Sequence, residues 1–216
     1  MDPRLTEIFP PLGVRITCGE LELRGISDSE VLALLDVVRD GVHPADRMPF
    51  SYPWTQATPE DLPLNYLQWW ARGLATWAPD AWGLDLCVLW DGEVVGVQGV
   101  ATRDFLTLRY GETGSWLGQR YQGRGIGTAM RRAMCAFLFD HLEFEVITSS
   151  AFSDNPASLR VSQKVGYRTN GEAWVKRGGS AATTTQLLLF KEDLIRGPDI
   201  TVEGVFALRR FIGLEQ

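Results

Sequence analysis

Residues 119–130 read QRYQGRGIGTAM: Gln119, Arg120, Tyr121, Gln122, Gly123, Arg124, Gly125, Ile126, Gly127, Thr128, Ala129 and Met130. Three glycines fall within five residues, arginines stand at 120 and 124, and a helix-like run, TAMRRAMCAFLFDHL, follows without a break. Glycine loses more conformational entropy on folding than any other residue, so this density implies a requirement of the backbone itself. The preceding TGSWLG reads as a strand, which makes the unit a strand, a glycine-rich turn and a helix. Such a helix start offers unpaired N–H groups and the positive end of a dipole to an anion.

Two phosphate-binding patterns do not fit. A P-loop needs Lys-Ser/Thr after its last glycine, and Gly127 is followed by Thr128-Ala129. A dinucleotide fingerprint begun at Gly123 needs glycine at 128, where threonine stands. A third pattern, Gln/Arg-x-x-Gly-x-Gly/Ala, is met throughout by Gln122 to Gly127. In it Gly125 and Gly127 let the main chain approach phosphate oxygens, and Arg124 adds a fork of donors.

Composition narrows the classes further. The 216 residues are 45% hydrophobic and 22% charged with eight tryptophans, ample for a buried core. A net charge of −6 and a pI near 5.0 argue against a partner bound by neutralising nucleic-acid phosphates. The start, MDPRLTEIFPPLGV, lacks the basic and apolar regions of a secretory signal, and no apolar run is long enough to span a bilayer. A cytoplasmic protein is expected. Cys18, Cys87 and Cys135 are odd in number and widely spaced within apolar segments, as reduced, buried thiols would be. His43 and His141 are the only histidines and no Cys/His cluster exists, so no metal is expected.

Along the chain, VRITCGELELRGI alternates as a half-buried strand or hairpin. Ser27-Asp28-Ser29-Glu30 is a capping-box pattern opening a helix that Gly41 stops. VHPADRMPFSYPWTQ is irregular, and Thr58-Pro59-Glu60-Asp61 predicts a second helix, with Pro59 at its first position, running to about Trp77. LDLCVLWD and EVVGVQGVATRD are strands joined at Asp91-Gly92, a strong hairpin signal. After the glycine turn and its helix come a buried strand, FEVITSSAF, a helix opened by Asn155-Pro156 and ended by Gly166, and an antiparallel pair, YRTNGEAWVKR and TTTQLLLF. The tail after Lys191 has no clear pattern. One mixed α/β domain without a linker follows.

The hexapeptide Gln122–Gly127, together with SDNPASLRVSQKVGYRTNG from Ser153 onward, resembles the two signatures of the GCN5-related N-acetyltransferases. Asn155, Ser158, Lys164, Gly166 and Tyr167 match the second signature one by one. The branch most similar is that of the ribosomal-protein alanine acetyltransferases. The resemblance covers about residues 12–190, leaving 191–216 as a C-terminal extension of a single domain. It implies a central, mostly antiparallel mixed sheet splayed between its fourth and fifth strands, with helices on both faces.

The resemblance also implies an activity: direct transfer of an acyl group from a coenzyme A thioester to an amine, through a tetrahedral intermediate. Acetyl-CoA is the default donor. The segment HPADRMPFSYPWT is similar to a subgroup that uses succinyl-CoA, whose carboxylate a cation such as Arg47 would suit. A regulatory acyl-CoA-binding domain without turnover and a binder of another phosphorylated nucleotide are the rival readings. For the cofactor the resemblance implies the loop 122–128 and the strand end Trp116, Leu117 and Gly118, with a backbone N–H near Trp116 or Leu117 for the oxyanion. Asn155 would touch pantetheine, although it also suits a helix cap before Pro156. Ser158 is the candidate acid for the departing thiolate, and Glu112 or His43 the candidate base; each has a plain reading as a cap, turn or loop residue. The acceptor would be a protein N-terminus or a small amine. His43, Arg47, Phe50, Tyr52 and Trp54 would form one lip of its site, since functional residues concentrate on such loops. A homo-oligomer is expected, with neither nucleic acid nor membrane as partner.

Overall fold

The computed structural model describes residues 3–215. After a short helix, α1 (Pro3–Ile8), the alternating segment folds as a hairpin of β1 (Arg15–Cys18) and β2 (Leu21–Gly25). The capping box forms as the sequence predicts: Ser27 N donates to Glu30 Oε2 at 3.1 Å, opening α2 (Asp28–Arg39). The second helix, α3 (Leu62–Ala75), begins later than expected. A helix running through 59–63 would need an N–H from Pro63 and would set its ring against the carbonyl of residue 59, so Thr58–Asp61 forms a capping turn instead. There Asp61 N donates to Thr58 Oγ1 at 3.1 Å.

The strands β3 (Gly83–Trp90) and β4 (Glu93–Thr102) turn at Asp91 and Gly92, both at positive φ, as a two-residue hairpin requires. A one-turn helix, α4 (Phe105–Leu108), leads to β5 (Tyr110–Leu117), the glycine loop and α5 (Ile126–His141). Then follow β6 (Val146–Phe152), α6 (Pro156–Val165), β7 (Arg168–Arg177) and β8 (Ser180–Phe190). The unassigned tail supplies β9 (Thr201–Glu203) and α7 (Val205–Phe211). It is integral to the fold: β9 pairs with β1, and Leu208 and Ile212 are fully buried in the main core.

Among the described residues the sheet has nine strands in the order β7-β8-β6-β5-β4-β3-β2-β1-β9. Alternation along β3 divides its two faces. Leu84, Leu86 and Val88 pack with α5 and α7, whereas Cys87 and Leu89 pack with α2 and α3. Cys87 and Cys135 are buried thiols, pushed up to about 12 and about 11 by desolvation; Cys18, at a strand end, is only partly buried. All three are free, and the two buried ones are too poorly ionised to act as nucleophiles.

Among the described residues the only parallel pairing is between β5 and β6, and it is short. It covers Tyr110–Val146, Gly111–Ile147 and Glu112–Thr148, after which the strands diverge. Side chains occupy the parting: Ser149 Oγ donates to Thr113 O at 3.0 Å and Thr113 Oγ1 to Thr148 O at 3.2 Å. The splayed sheet and two-sided helical cover agree with the sequence reading.

Candidate active site

The glycine loop leaves the splayed end of β5 and enters α5. Its shape is held by Gln122, whose side-chain amide donates to Leu117 O and to Val42 O, both at 2.9 Å. Gln122 thus braces the loop rather than presenting its amide to a ligand. Gly123 and Gly125 lie at φ +76° and +87°, and a β-carbon on either would meet nothing within 4 Å. The amides of residues 123–127 donate to no other described residue. Free donors, open space above them and a helix dipole behind them make a cradle for a polyanion. Arg124 is exposed beside it and has no ion pair among the described residues, whereas Arg120 is taken up by Asp40 and Glu93. Gly127 differs: its β-carbon would make ordinary contacts with Val161 and Leu117, so it serves helix packing.

A cavity of about 560 Å³ continues from Gly125 and Thr128 along α5, beneath the chain segment 196–200. Arg132 and Lys164 line it without ion pairs among the described residues, Arg132 Nη2 donating to Lys164 O at 2.7 Å.

At the fork, Gly118 N donates to Val95 O at 2.9 Å. Amide direction alternates along a strand, so Trp116 and Gly114 also face β4, while Leu117 and Ser115 point their N–H groups across the fork. Of the two expected oxyanion donors, Leu117 has the geometry. Glu112 lies within β5, not in a turn before it, and accepts Ser150 Oγ from β6 at 2.9 Å. Asn155 caps α6, accepting Ser158 N at 3.3 Å, which leaves the Ser158 hydroxyl without a partner among the described residues. Below the fork sits a residue the sequence reading missed. Arg131 is buried, and its nearest partners are Ser115 Oγ at 2.7 Å and Ser149 Oγ at 3.3 Å, with no carboxylate among the described residues.

The irregular loop after α2 folds over the other side of the fork. Trp54 packs on Trp116 and Tyr66, and Phe50 on Trp54, at centroid distances of 5.1–6.1 Å. With Trp69 of α3 these rings wall a cavity of about 820 Å³. Tyr52 lines it from an exposed position. His43 is committed within its own loop, Nδ1 to Pro44 O at 2.8 Å and Nε2 to Thr55 Oγ1 at 2.7 Å, so no ring nitrogen is left for a substrate proton. Arg47 is exposed and unpaired among the described residues. Arg177 pins the loop: its Nε donates to Met48 O at 2.7 Å and its Nη1 to Asp154 at 2.8 Å, just before the Asn155 cap.

Residues 20–168 match the model of the acetyltransferase (GNAT) domain. The chain belongs to the GNAT acetyltransferase family. YdaF of Bacillus subtilis (strain 168), provisionally named a ribosomal N-acetyltransferase, is 29% identical over 91 residues, which are 42% of this chain and 49% of that protein. The match therefore spans about half the length of that curated relative. Among solved structures, Mycobacterium smegmatis RimJ in complex with CoA-disulfide superposes with a TM-score of 0.68 at 17% identity, covering 92% of each chain. The ribosomal-protein-S5-alanine acetyltransferase of Vibrio fischeri gives 0.64 at 19% identity, covering 83% of this chain and 98% of that one. Both show the same GNAT fold.

In this GNAT domain the loop 122–128, Asn155 and Ser158 follow the diverging ends of β5 and β6, and Glu112 stands where the two strands part. Arg131, Arg177 and Tyr66 lack a local signature in sequence. Only the fold shows that they meet the site.

Proposed function

We propose that this GNAT domain is an acyl-CoA-dependent N-acyltransferase that moves an acetyl group from acetyl-CoA to a primary amine. One observation carries the reading: the free amides of residues 123–127, set around two open left-handed glycines, lie next to a fork between parallel strands. A diphosphate suits the first and an extended thioester arm the second. Arg132 and Lys164, unpaired in the adjoining cavity, favour a further phosphate there.

The thioester supplies an activated carbonyl. The Leu117 N–H is placed to donate to the oxygen as it gains charge. Glu112, held by Ser150, accepts the amine's proton through water, and the free Ser158 hydroxyl protonates the departing thiolate. An α-amine, with a pKa about 7.7–8.0, needs less help from Glu112 than a lysine at about 10.4. Succinyl-CoA is the second reading, favoured by the unpaired Arg47 guanidinium on the loop over the fork. Self-association, which rests on the resemblance, and a cytoplasmic location, expected from the sequence, complete the proposal.

Release of free thiol from acetyl-CoA or succinyl-CoA, with a panel of amines, tests the activity. Competition between coenzyme A and adenine nucleotides, followed by tryptophan fluorescence, tests the cradle. Thiol release with neither donor would remove the enzyme reading, and preference for a plain adenine nucleotide would remove the coenzyme A reading.

A further inference from the structure

The acceptor side of the fork has an acidic, glycine-floored face. In register across β3, β4 and β5 stand Asp85, Gly99 and Gly114. Gly99 is the seat of the Asp85 carboxylate: a β-carbon there would come within 1.9 Å of Oδ1. The carboxylate therefore leans from β3 towards the fork. Past it, a β-carbon on Gly114 would meet nothing within 4 Å, so the floor is bare. The neighbouring row ends in Glu112, on the same face.

Among the described residues Asp85 has no hydrogen bond or ion pair. Its side chain reaches solvent, yet the protein packed densely around it disfavours the charged form and raises its pKa to about 6. Tyr66, on α3, lines the cavity beside it. Its phenol is nine-tenths buried, its hydroxyl has no hydrogen-bond partner among the described residues, and burial first and the Asp85 charge second raise its pKa. Trp54, Tyr66, Trp69 and Trp116 supply ring faces that attract cations. Arg72, the cation of this cavity, is exposed and does not figure in the shift of Asp85. These rings line the cavity of about 820 Å³, whereas Asp85 lines a small crevice of about 50 Å³ next to it, and Trp69 borders both.

Resting on the acyltransfer reading, we infer that the acceptor is a small amine carrying a second positive charge, with its distal cation on Asp85 and its reacting amine beside Glu112. β3 and β5 are two strand spacings apart, roughly 10 Å, so the two charges belong to the ends of a short chain rather than to one centre.

The test compares three acceptors of matched length: 1,6-diaminohexane, hexylamine and 6-aminohexanoate, assayed by thiol release. The diamine should exceed hexylamine in kcat/KM by about tenfold or more, as a charge-assisted contact allows, with 6-aminohexanoate lowest. In Asp85→Asn the diamine-to-hexylamine ratio should fall to near one, and Asp85→Glu should restore part of it. Circular dichroism and coenzyme A affinity check that both variants are folded. Equal use of mono- and diamine by the wild type, preference for 6-aminohexanoate, or a ratio that survives Asp85→Asn overturns the inference while leaving acyltransfer intact. Quenching of tryptophan fluorescence by the diamine on the CoA-loaded protein separates the two failures. Asp85-dependent quenching without turnover keeps the cation site and removes the chemistry; no quenching and no turnover removes both.

Discussion

The Ser150 hydroxyl donates to Glu112 Oε1 at 2.9 Å, joining β6 to β5 at the point where their backbone pairing ends. The carboxylate is thereby fixed at the mouth of the fork, on the face that carries the acceptor cavity. Glu112→Gln keeps the shape and the bond to Ser150 but cannot take a proton. It should lower kcat by about a hundredfold with an amine acceptor, while the coenzyme A dissociation constant changes less than about twofold. Steady-state thiol release and calorimetry measure the two. An unchanged kcat would take Glu112 out of the proton path.

The Ser158 hydroxyl stands free because its own N–H, not its side chain, is used by the Asn155 cap. Ser158→Ala should therefore leave α6 and coenzyme A affinity almost unaltered and reduce turnover by about tenfold or more. Single-turnover rates read the chemical step directly. Full activity there would mean that the thiolate leaves without this proton.

Gly125 and Gly127 should respond differently to a side chain. At φ +87° a β-branched residue is strained, and its methyls would also fill the open space above the free amides. Gly125→Val should weaken coenzyme A at least about a hundredfold. Gly127→Ala would place a methyl 3.6 Å from Val161 Cγ2, an ordinary contact, so affinity should stay within about threefold. Equal losses at both positions would contradict a cradle centred on 123–125.

Gln122 and Arg124 stand two residues apart and should separate stability from binding. Gln122→Ala removes two hydrogen bonds that hold the loop to Leu117 and Val42, costing about 1–2 kcal/mol of stability by denaturant titration. Arg124→Ala removes an exposed cation without an ion pair, so the melting temperature should hold while coenzyme A affinity drops and its salt dependence weakens. A variant of Arg124 that binds coenzyme A normally at low salt would exclude it from the phosphate site.

Local signals explain how much of this was legible in sequence. The capping box at Ser27, the Asp91-Gly92 turn and the glycine turn into α5 are set by neighbours within a few residues, and each forms where the sequence places it. Pro63 shows the limit: the Thr58-Pro59 signal was outweighed by a proline four residues on. Long-range partners left no trace in the pattern. Whether His43 has a free nitrogen depends on Thr55, and whether Asp85 has a counterion depends on what α3 places above β3. β9 is only three residues long and gains its pairing from β1, far away in the chain, so its periodicity was too short to read.

Asp85 should reveal itself in stability as well as in specificity. Its folded pKa of about 6 lies above the ordinary 3.8, so the native state holds the proton more tightly than the unfolded chain. Between about pH 4 and 6 the native form is protonated and the unfolded form is not, and stability contributed by this group is lost as pH rises through that window. Above it the native protein carries an ionised, unpartnered carboxylate that reaches solvent from a crevice lined by Trp69, Trp70 and Trp77. Asp85→Asn lacks that charge at every pH. Its melting temperature should exceed that of the wild type at pH 7.5, with the difference shrinking as pH falls towards 4. A carboxylate that weakens the free protein but binds a cation fits a residue kept for its ligand, since active sites commonly trade stability for function. Adding 1,6-diaminohexane at pH 7.5 should then raise the wild-type melting temperature and leave Asp85→Asn where it was. Equal melting curves for the two proteins across pH 4–7.5 would mean that water, not the cleft, already solvates this group.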